Sequence, residues 1–264
     1  MRILLHDLTV GIVMTAAKKK VWVVGASGGL GLALCRHLVE QGHQVTALTR
    51  RPSPALQQLQ GHYSGQVAIV VGNICQHNSQ AIPQLSALFD HYGLPDWTLN
   101  AAGLLHTTDP VRMPEKRLSQ LAPSFLADNI HANTYTSIAV AQFLDPLYSR
   151  EDPFRLLCLS AMVGSINDNS AGGWYSYRMS KAALNMFVKT LSIEWQRRFP
   201  RACVATIHPG TTDTPLSVPF QQSISSDKLY LPPLSAQRIC RVLAGLAPTD
   251  SGKFFHWDGS ILPW

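Results

Sequence analysis

The chain has 264 residues, 46% hydrophobic and 14% charged, with 22 Lys and Arg against 16 Asp and Glu and a formal net charge of +6. That is enough apolar material for one large α/β domain, and it excludes disorder, collagen, coiled coil and disulfide mini-protein as the main state. Basic residues are scattered apart from Lys18-Lys19-Lys20, Arg50-Arg51 and Arg197-Arg198, which argues against nucleic acid, and no apolar run reaches the roughly 18 residues of a membrane helix.

Residues 1–17 read as an extra N-terminal leader or arm, and the domain proper runs over 18–264. Residues 21–24 predict a buried strand, Gly25 to Gly31 a glycine turn, and 32–39 a helix that Gly42 ends. Strands follow at 45–48 and 67–71, then a helix over 79–92 and a fourth strand at 97–99. A long helix is expected over 118–148, a fifth strand at 155–159, a helix over 177–198, a sixth strand at 203–207 and a last short one at 254–257. Strands that alternate with helices imply right-handed crossovers and a parallel sheet covered on both faces. The expected fold class is α/β: a single doubly wound Rossmann domain, with a mostly parallel seven-stranded sheet and helices on both faces.

The segment Gly25-Ala26-Ser27-Gly28-Gly29-Leu30-Gly31 lies between a strand and a helix. Backbone N–H groups at such a helix start bind phosphate, and glycines let a pyrophosphate approach. The spacing is neither G-x-G-x-x-G nor a P-loop. An NAD site carries a carboxylate at the end of the second strand, for the ribose hydroxyls. Here that end reads Leu48-Thr49-Arg50-Arg51. A guanidinium matches a 2′-phosphate through its planar fork, so NADP(H) is preferred.

Tyr177-Arg178-Met179-Ser180-Lys181 puts a phenol and an ammonium on one helix face. A cation about 4 Å away at an effective dielectric of 20 favours the phenolate by about 4 kcal/mol, enough to make a tyrosine a proton shuttle. Such a pair alone is common on surfaces. It is accompanied by Asn100-Ala101-Ala102-Gly103, Asn133, Ser160 and Pro209-Gly210-Thr211-Thr212-Asp213-Thr214, each near the C-terminal side of the sheet, where open α/β proteins bind ligands. This ordered set resembles the short-chain dehydrogenase/reductase family over about residues 20–264. In detail it is similar to the C-factor/Sniffer-like carbonyl reductase subgroup, through Gly164-Ser165-Ile166, Gly172-Gly173-Trp174-Tyr175-Ser176-Tyr177-Arg178, Lys181 to Met186 and the ending Trp257-Asp258-Gly259 to Pro263-Trp264.

The resemblance implies an NADP(H)-dependent oxidoreductase that interconverts a carbonyl and an alcohol by hydride transfer. Tyr177 would be the general acid/base, Lys181 would bind the nicotinamide ribose and lower the Tyr177 pKa, and Asn133 would anchor a proton-relaying water. Gly25, Gly29, Leu30 and Gly31 would hold the pyrophosphate, Ser27 and Arg50 the 2′-phosphate, and Asn73 and Ile74 the adenine. Asn100, Ala101 and Gly103 would line the cofactor, with Pro209, Gly210 and Thr214 at its nicotinamide end. There are departures. The family's catalytic Ser falls at Ala161, whose methyl cannot hydrogen-bond a substrate; Ser160 or Ser165 is the nearest replacement, although a neighbouring strand residue points to the opposite face. Losing one such donor costs about 10²–10³ in turnover. Val24 and Asn73 also replace the family's Thr and Asp.

The rival reading is a non-catalytic NADP-binding signalling or sensor protein on the same fold, favoured by Ala161. The implied partner is a small-molecule carbonyl or alcohol, with no nucleic acid and no membrane. Ile138, Val140, Phe143, Met186, Phe187, Ile193 and Trp195 carry apolar character beyond one helix face, and the family pairs these helices in a homodimer or homotetramer. Ten histidines show no H-E-x-x-H and no tight cluster, so no metal is expected. Five cysteines without C-x-x-C spacing read as reduced thiols and place the chain in the cytoplasm.

Overall fold

The computed structural model describes residues 17–76 and 81–264. Its centre is a sheet of seven strands: β1 (Lys20–Val24), β2 (Gln44–Thr49), β3 (Val67–Val71), β4 (Trp97–Asn100), β5 (Arg155–Leu159), β6 (Cys203–His208) and β7 (Phe254–His256). All pair in parallel, in the order β7-β6-β5-β4-β1-β2-β3. The strands are continuous apolar runs because both faces are covered. In β1, Val21 and Val23 pack into one core cluster while Trp22 and Val24 pack into the other. Helices α1 (Gly29–Glu40), α2 (Pro54–His62) and α7 (Pro232–Gly245) fill the first cluster through Leu34, Leu56 and Leu243. Helices α3 (Ala81–Tyr92), α5 (Thr136–Leu144) and α6 (Tyr175–Arg198) fill the second through Leu85, Leu144 and Leu184.

The strand order reverses between β1 and β4, and a crevice opens at the carboxyl ends of such strands. Register lines those ends up. Val24 pairs with Leu48 and with Asn100, Asn100 with Cys158, and Leu159 with Ile207. The glycine turn, Arg50, Ala101, Ser160 and Pro209 therefore leave the sheet along one edge.

The expected helix over 118–148 is divided. A 3₁₀ turn at Leu118–Gln120 precedes α4 (Pro123–Ile130), a π-helical turn follows at His131–Tyr135, and after α5 comes another 3₁₀ turn at Asp145–Leu147. Pro123 sets the start, since the residue before a proline avoids the helical region and Ala122 is extended. Pro146 stops α5 by denying it a donor. Helices α2 and α7 lie outside the sequence expectation. Each begins on a proline, which the first helical turn tolerates, and Ser53 caps α2 by accepting the Leu56 N–H at 3.3 Å. The leader expected at 1–17 lies outside the described residues except for Ala17, as do positions 79 and 80 of the third expected helix. All five cysteines are free, and four of them are buried. Among the described residues no helix is long and apolar enough to cross a membrane.

The turn from β1 into α1 is the tightest join. Gly25 has φ 80°, and a Cβ there would lie 2.8 Å from the Ala102 nitrogen. A Cβ on Gly31 would lie 2.1 Å from the Gly25 oxygen, whereas one on Gly28 would meet nothing within 4 Å. Overpacking against fixed backbone destabilises by about 1–3 kcal/mol or more. Gly31→Ala should therefore lower the unfolding free energy by at least that much in a denaturant titration, while Gly28→Ala, a helix N-cap position, should lose less than about 1 kcal/mol.

Candidate active site

At the glycine turn, Leu32 N–H makes the first helical bond of α1, to Gly28 O at 3.4 Å, and no side chain of the cap position caps the helix. Helix geometry leaves the amides of Gly29, Leu30 and Gly31 without intrahelical partners, the arrangement that receives phosphate. A Cβ on Gly29 would lie 3.3 Å from the Thr214 side chain, so the segment after β6 leans over the turn. Ser27 is tied to the end of β2 through the Thr49 hydroxyl and the Arg51 carbonyl. Arg50 is exposed and takes part in no ion pair among the described residues. After β3, the Asn73 carboxamide accepts the Cys75 N–H at 3.1 Å and turns the chain, while Ile74 packs on the cluster that holds Leu48 and Val70. After β4, Asn100 donates to Ser137 at 2.6 Å and accepts the Ala102 N–H at 3.1 Å; the Ala101 N–H returns to Val24 O.

Deeper in, Lys181 is 3% exposed and its ammonium donates to Leu159 O at 2.8 Å. A Cβ on Gly103 would stand 3.2 Å from Asn133 Oδ1 and 3.9 Å from Lys181 Nζ, so these three residues share one corner. Asn133, 1% exposed and in the π turn, accepts the Leu104 N–H at 2.7 Å and donates to Leu104 O at 2.8 Å and to Ser180 Oγ at 2.9 Å. Its carboxamide is thus engaged with protein. Lys181 Nζ lies 5.8 Å from the centre of the Tyr177 ring, and Tyr177 is 7% exposed. Burial lowers the Lys181 ammonium from 10.5 to about 8 and raises the Tyr177 phenol above its ordinary value. The resemblance implies a lowered Tyr177, and burial in the chain itself acts in the opposite direction.

Ser160 is tied to α6. It is buried, and its hydroxyl donates to Asn185 Oδ1 at 2.7 Å. Ser165 is also buried and accepts the Asp168 N–H at 3.1 Å. Ala161 is half-buried and extended, just before a 3₁₀ turn at Met162–Gly164. The Ser160 hydroxyl proton is thus engaged with Asn185, and Ala161 itself offers no donor.

On the open side, Trp174 sits 4.9 Å from the Phe220 ring and 6.2 Å from the Tyr177 ring, and His106 lies 6.0 Å from Phe220. His106 and Phe220 fall in the loop stretches, about 104–117 and 211–232, from which the sequence leads one to expect substrate contacts, but neither residue stands out there; a ring contact between residues over a hundred positions apart leaves no local signal. Gly210 has φ 77°, and a Cβ there would meet the Tyr230 ring at 2.9 Å and Trp257 at 3.0 Å, which closes the far wall behind Pro209. Burial and His256 lower His208 to about 3, which keeps it neutral.

The sequence pattern of the family described as short chain dehydrogenase matches residues 19–224. The chain is 37% identical over 111 residues to C-signal of Myxococcus xanthus, a match that spans 42% of this chain and 61% of that protein. Among solved structures it is similar to carbonyl reductase Sniffer of D. melanogaster, with a TM-score of 0.79 and 24% identity over 94% of this chain and 100% of that one. It is similar to the NADPH-bound carbonyl reductase from chicken fatty liver as well, with a TM-score of 0.79 and 23% identity over 94% and 99%. At these identities the structural likeness is one of fold.

The buried ammonium makes stability depend on pH with a definite sign. The unfolded chain keeps the Lys181 proton up to about its ordinary value of 10.5, and the fold releases it near 8. Between those values the unfolded state binds more protons, so the fold gains stability as pH rises. In paired melts, wild type should therefore gain on Lys181→Met from about pH 8 to 10.5, with a flat difference below pH 8. A difference that stays constant or falls over that window is the contrary result.

Proposed function

We propose, since the chain belongs to the short-chain dehydrogenase family, that it is an NADP(H)-dependent oxidoreductase interconverting a carbonyl and an alcohol, with Tyr177 as general acid/base. The observation that carries this reading is the corner where buried Tyr177, Lys181 and Asn133 meet the exposed Gly103, beside the glycine turn. The residues fit the cofactor. Gly25, Gly29 and Gly31 hold backbone where side chains would intrude, and Arg50 is an exposed cation placed for a 2′-phosphate. Lys181 donates one hydrogen bond to Leu159 O, which leaves two N–H groups for ribose hydroxyls. When bound, NADPH supplies the hydride.

The chain's own part is proton management and shape. Tyr177, kept protonated by burial, gives its proton to the substrate oxygen in the reductive direction. The Lys181 ammonium then offsets the phenolate charge. The π turn takes main-chain carbonyls at 131–135 out of the regular helical pattern and so offers a seat for a water that returns protons to Lys181. Half-buried Trp174, Phe220 and His106 above the phenol favour an uncharged, apolar carbonyl compound. Ala161 supports a second reading, an NADP-binding sensor, because the substrate oxygen has one hydroxyl donor fewer.

Tyr177→Phe separates the two. For a reductase, NADPH turnover with a panel of aldehydes and ketones should fall by about 10²–10⁴, with NADPH affinity nearly unchanged and tighter than that for NADH. Ala161→Ser should raise the wild-type rate. NADPH binding with equal inactivity in wild type, Ala161→Ser and Tyr177→Phe favours the sensor.

We also infer a cytoplasmic, self-associating enzyme. The cytoplasm rests on the five free cysteines. Val140 and Trp195 are spent on the core, but Met179, Met186 and Ile193 are 39%, 66% and 49% exposed and recur every seventh residue along α6. That stripe suits an isologous contact between two copies. Light scattering should give a dimer or tetramer mass at micromolar protein, and Met186→Glu with Ile193→Glu should reduce it to the monomer; a monomeric wild type overturns the inference.

A further inference from the structure

Helix α6 carries both Tyr177 and Lys181, yet its own N-cap residue cannot cap it. Trp174 stands there with φ 52° and ψ 41°, and no side chain of the cap position bonds the first turn. A side chain from a distant segment fills this place. Glu115 is 2% exposed; its Oε2 accepts the Ser176 N–H at 3.0 Å and its Oε1 accepts the Ser176 hydroxyl. Its main-chain carbonyl accepts the Trp174 N–H. Glu115 forms no ion pair among the described residues, so the positive end of the helix and the Ser176 donors face its charge. The approach to this cap is unusual as well. Gly172, Gly173 and Trp174 are three consecutive left-handed residues, and a Cβ on Gly173 would lie 3.4 Å from the Glu115 oxygen. The chain winds around that carbonyl and delivers the Trp174 ring onto Tyr177 and Phe220. Bulky residues adopt this conformation only where the surroundings over-determine it.

We propose that Glu115 is a positioning residue for the Tyr177 site: it fixes where α6 begins and holds the left-handed turn at 172–174, and so sets both the place of the phenol and the aromatic wall above it. The role in turnover rests on the oxidoreductase reading. The role in the fold does not. Ser176 adjoins Tyr177, so a slack first turn displaces the phenol directly, whereas Lys181 lies a full turn further on and is held separately by Leu159 O.

The test compares Glu115→Ala, Glu115→Gln and Ser176→Ala by amide hydrogen exchange and by steady-state kinetics, with kcat expressed per NADPH-binding site. Gln keeps an acceptor for the Ser176 N–H and removes the charge, while Ala removes both. Glu115→Ala should speed exchange at the Trp174 and Ser176 amides at least tenfold and leave Val188, deep in α6, unchanged. Its kcat should fall at least tenfold, with the NADPH dissociation constant within twofold of wild type. Glu115→Gln should recover most of that kcat, and Ser176→Ala should fall in between. Unchanged exchange at Trp174 and Ser176 overturns the proposal. So does faster exchange with unaltered kcat, or NADPH affinity that drops in step with kcat. Should Glu115→Ala not fold, the other two variants carry the same readouts. A wild type without turnover on any carbonyl counts against the oxidoreductase reading instead, and exchange alone then decides the part Glu115 plays.

Discussion

An ammonium group with, among the described residues, a single carbonyl as hydrogen-bond acceptor lies buried at the end of β5, and much of the site is arranged around it. Lys181 can reach Leu159 O only because the 3₁₀ turn after β5 passes close by: a Cβ on Gly164 would lie 2.8 Å from Lys181 Cβ and 3.0 Å from its carbonyl carbon. Gly103 is tight instead against Asn133, whose Oδ1 a Cβ would meet at 3.2 Å. The neighbouring Ser180 locks α6 to the π turn, since it accepts from Asn133, and its carbonyl accepts from the Thr134 hydroxyl at 2.7 Å. A desolvated cation opposes folding. The fold retains it through hydrogen bonds that engage three segments at once, which is how strain concentrates at functional sites in natural proteins.

The same burial acts on the phenol with opposite sign. It moves both groups toward their neutral forms, Tyr177 protonated and Lys181 closer to releasing its proton. Tyr177 thus holds its proton more tightly than a free phenol does, and Lys181 holds its own less tightly than a free ammonium. A negative charge brought beside the pair would act on the two groups differently, favouring the ammonium of Lys181 and disfavouring a phenolate at Tyr177.

Much of this was legible in the sequence, for identifiable reasons. Parallel strands covered on both faces are short continuous apolar runs, and all seven stood out. Glycines that admit no Cβ, as at 25 and 31, marked the turn, and Tyr177 with Lys181 shared a helix face by spacing alone. Helices α2 and α7 were hidden because Pro54 and Pro232 read as breakers, although the first turn needs no donor from them. The division of 118–148 had no strong local signal beyond Pro123 and Pro146. What pairs with what across the chain was invisible: Ser160 with Asn185, 25 residues away, and Glu115 with Ser176, 61 away. A hydroxyl at a strand end does not announce whether it faces a ligand or another helix, and here the Ser160 hydroxyl meets Asn185 of α6.

The π turn at His131–Tyr135 has a consequence for how this region tolerates length changes. A π turn accommodates one extra residue in an α-helical path, and each residue rotates a helix by about 100°. Loss of one residue between 131 and 135 would heal the irregularity and give a smoother helix from 123 to 144. It would also throw α5 out of phase with α4, turning Val140, Ala141 and Leu144 away from the sheet or Asn133 away from Leu104 and Ser180. Local regularity and tertiary phase cannot both be satisfied here. This stretch should therefore accept substitutions far more readily than any single deletion, and the more perfect helix would be the poorer protein.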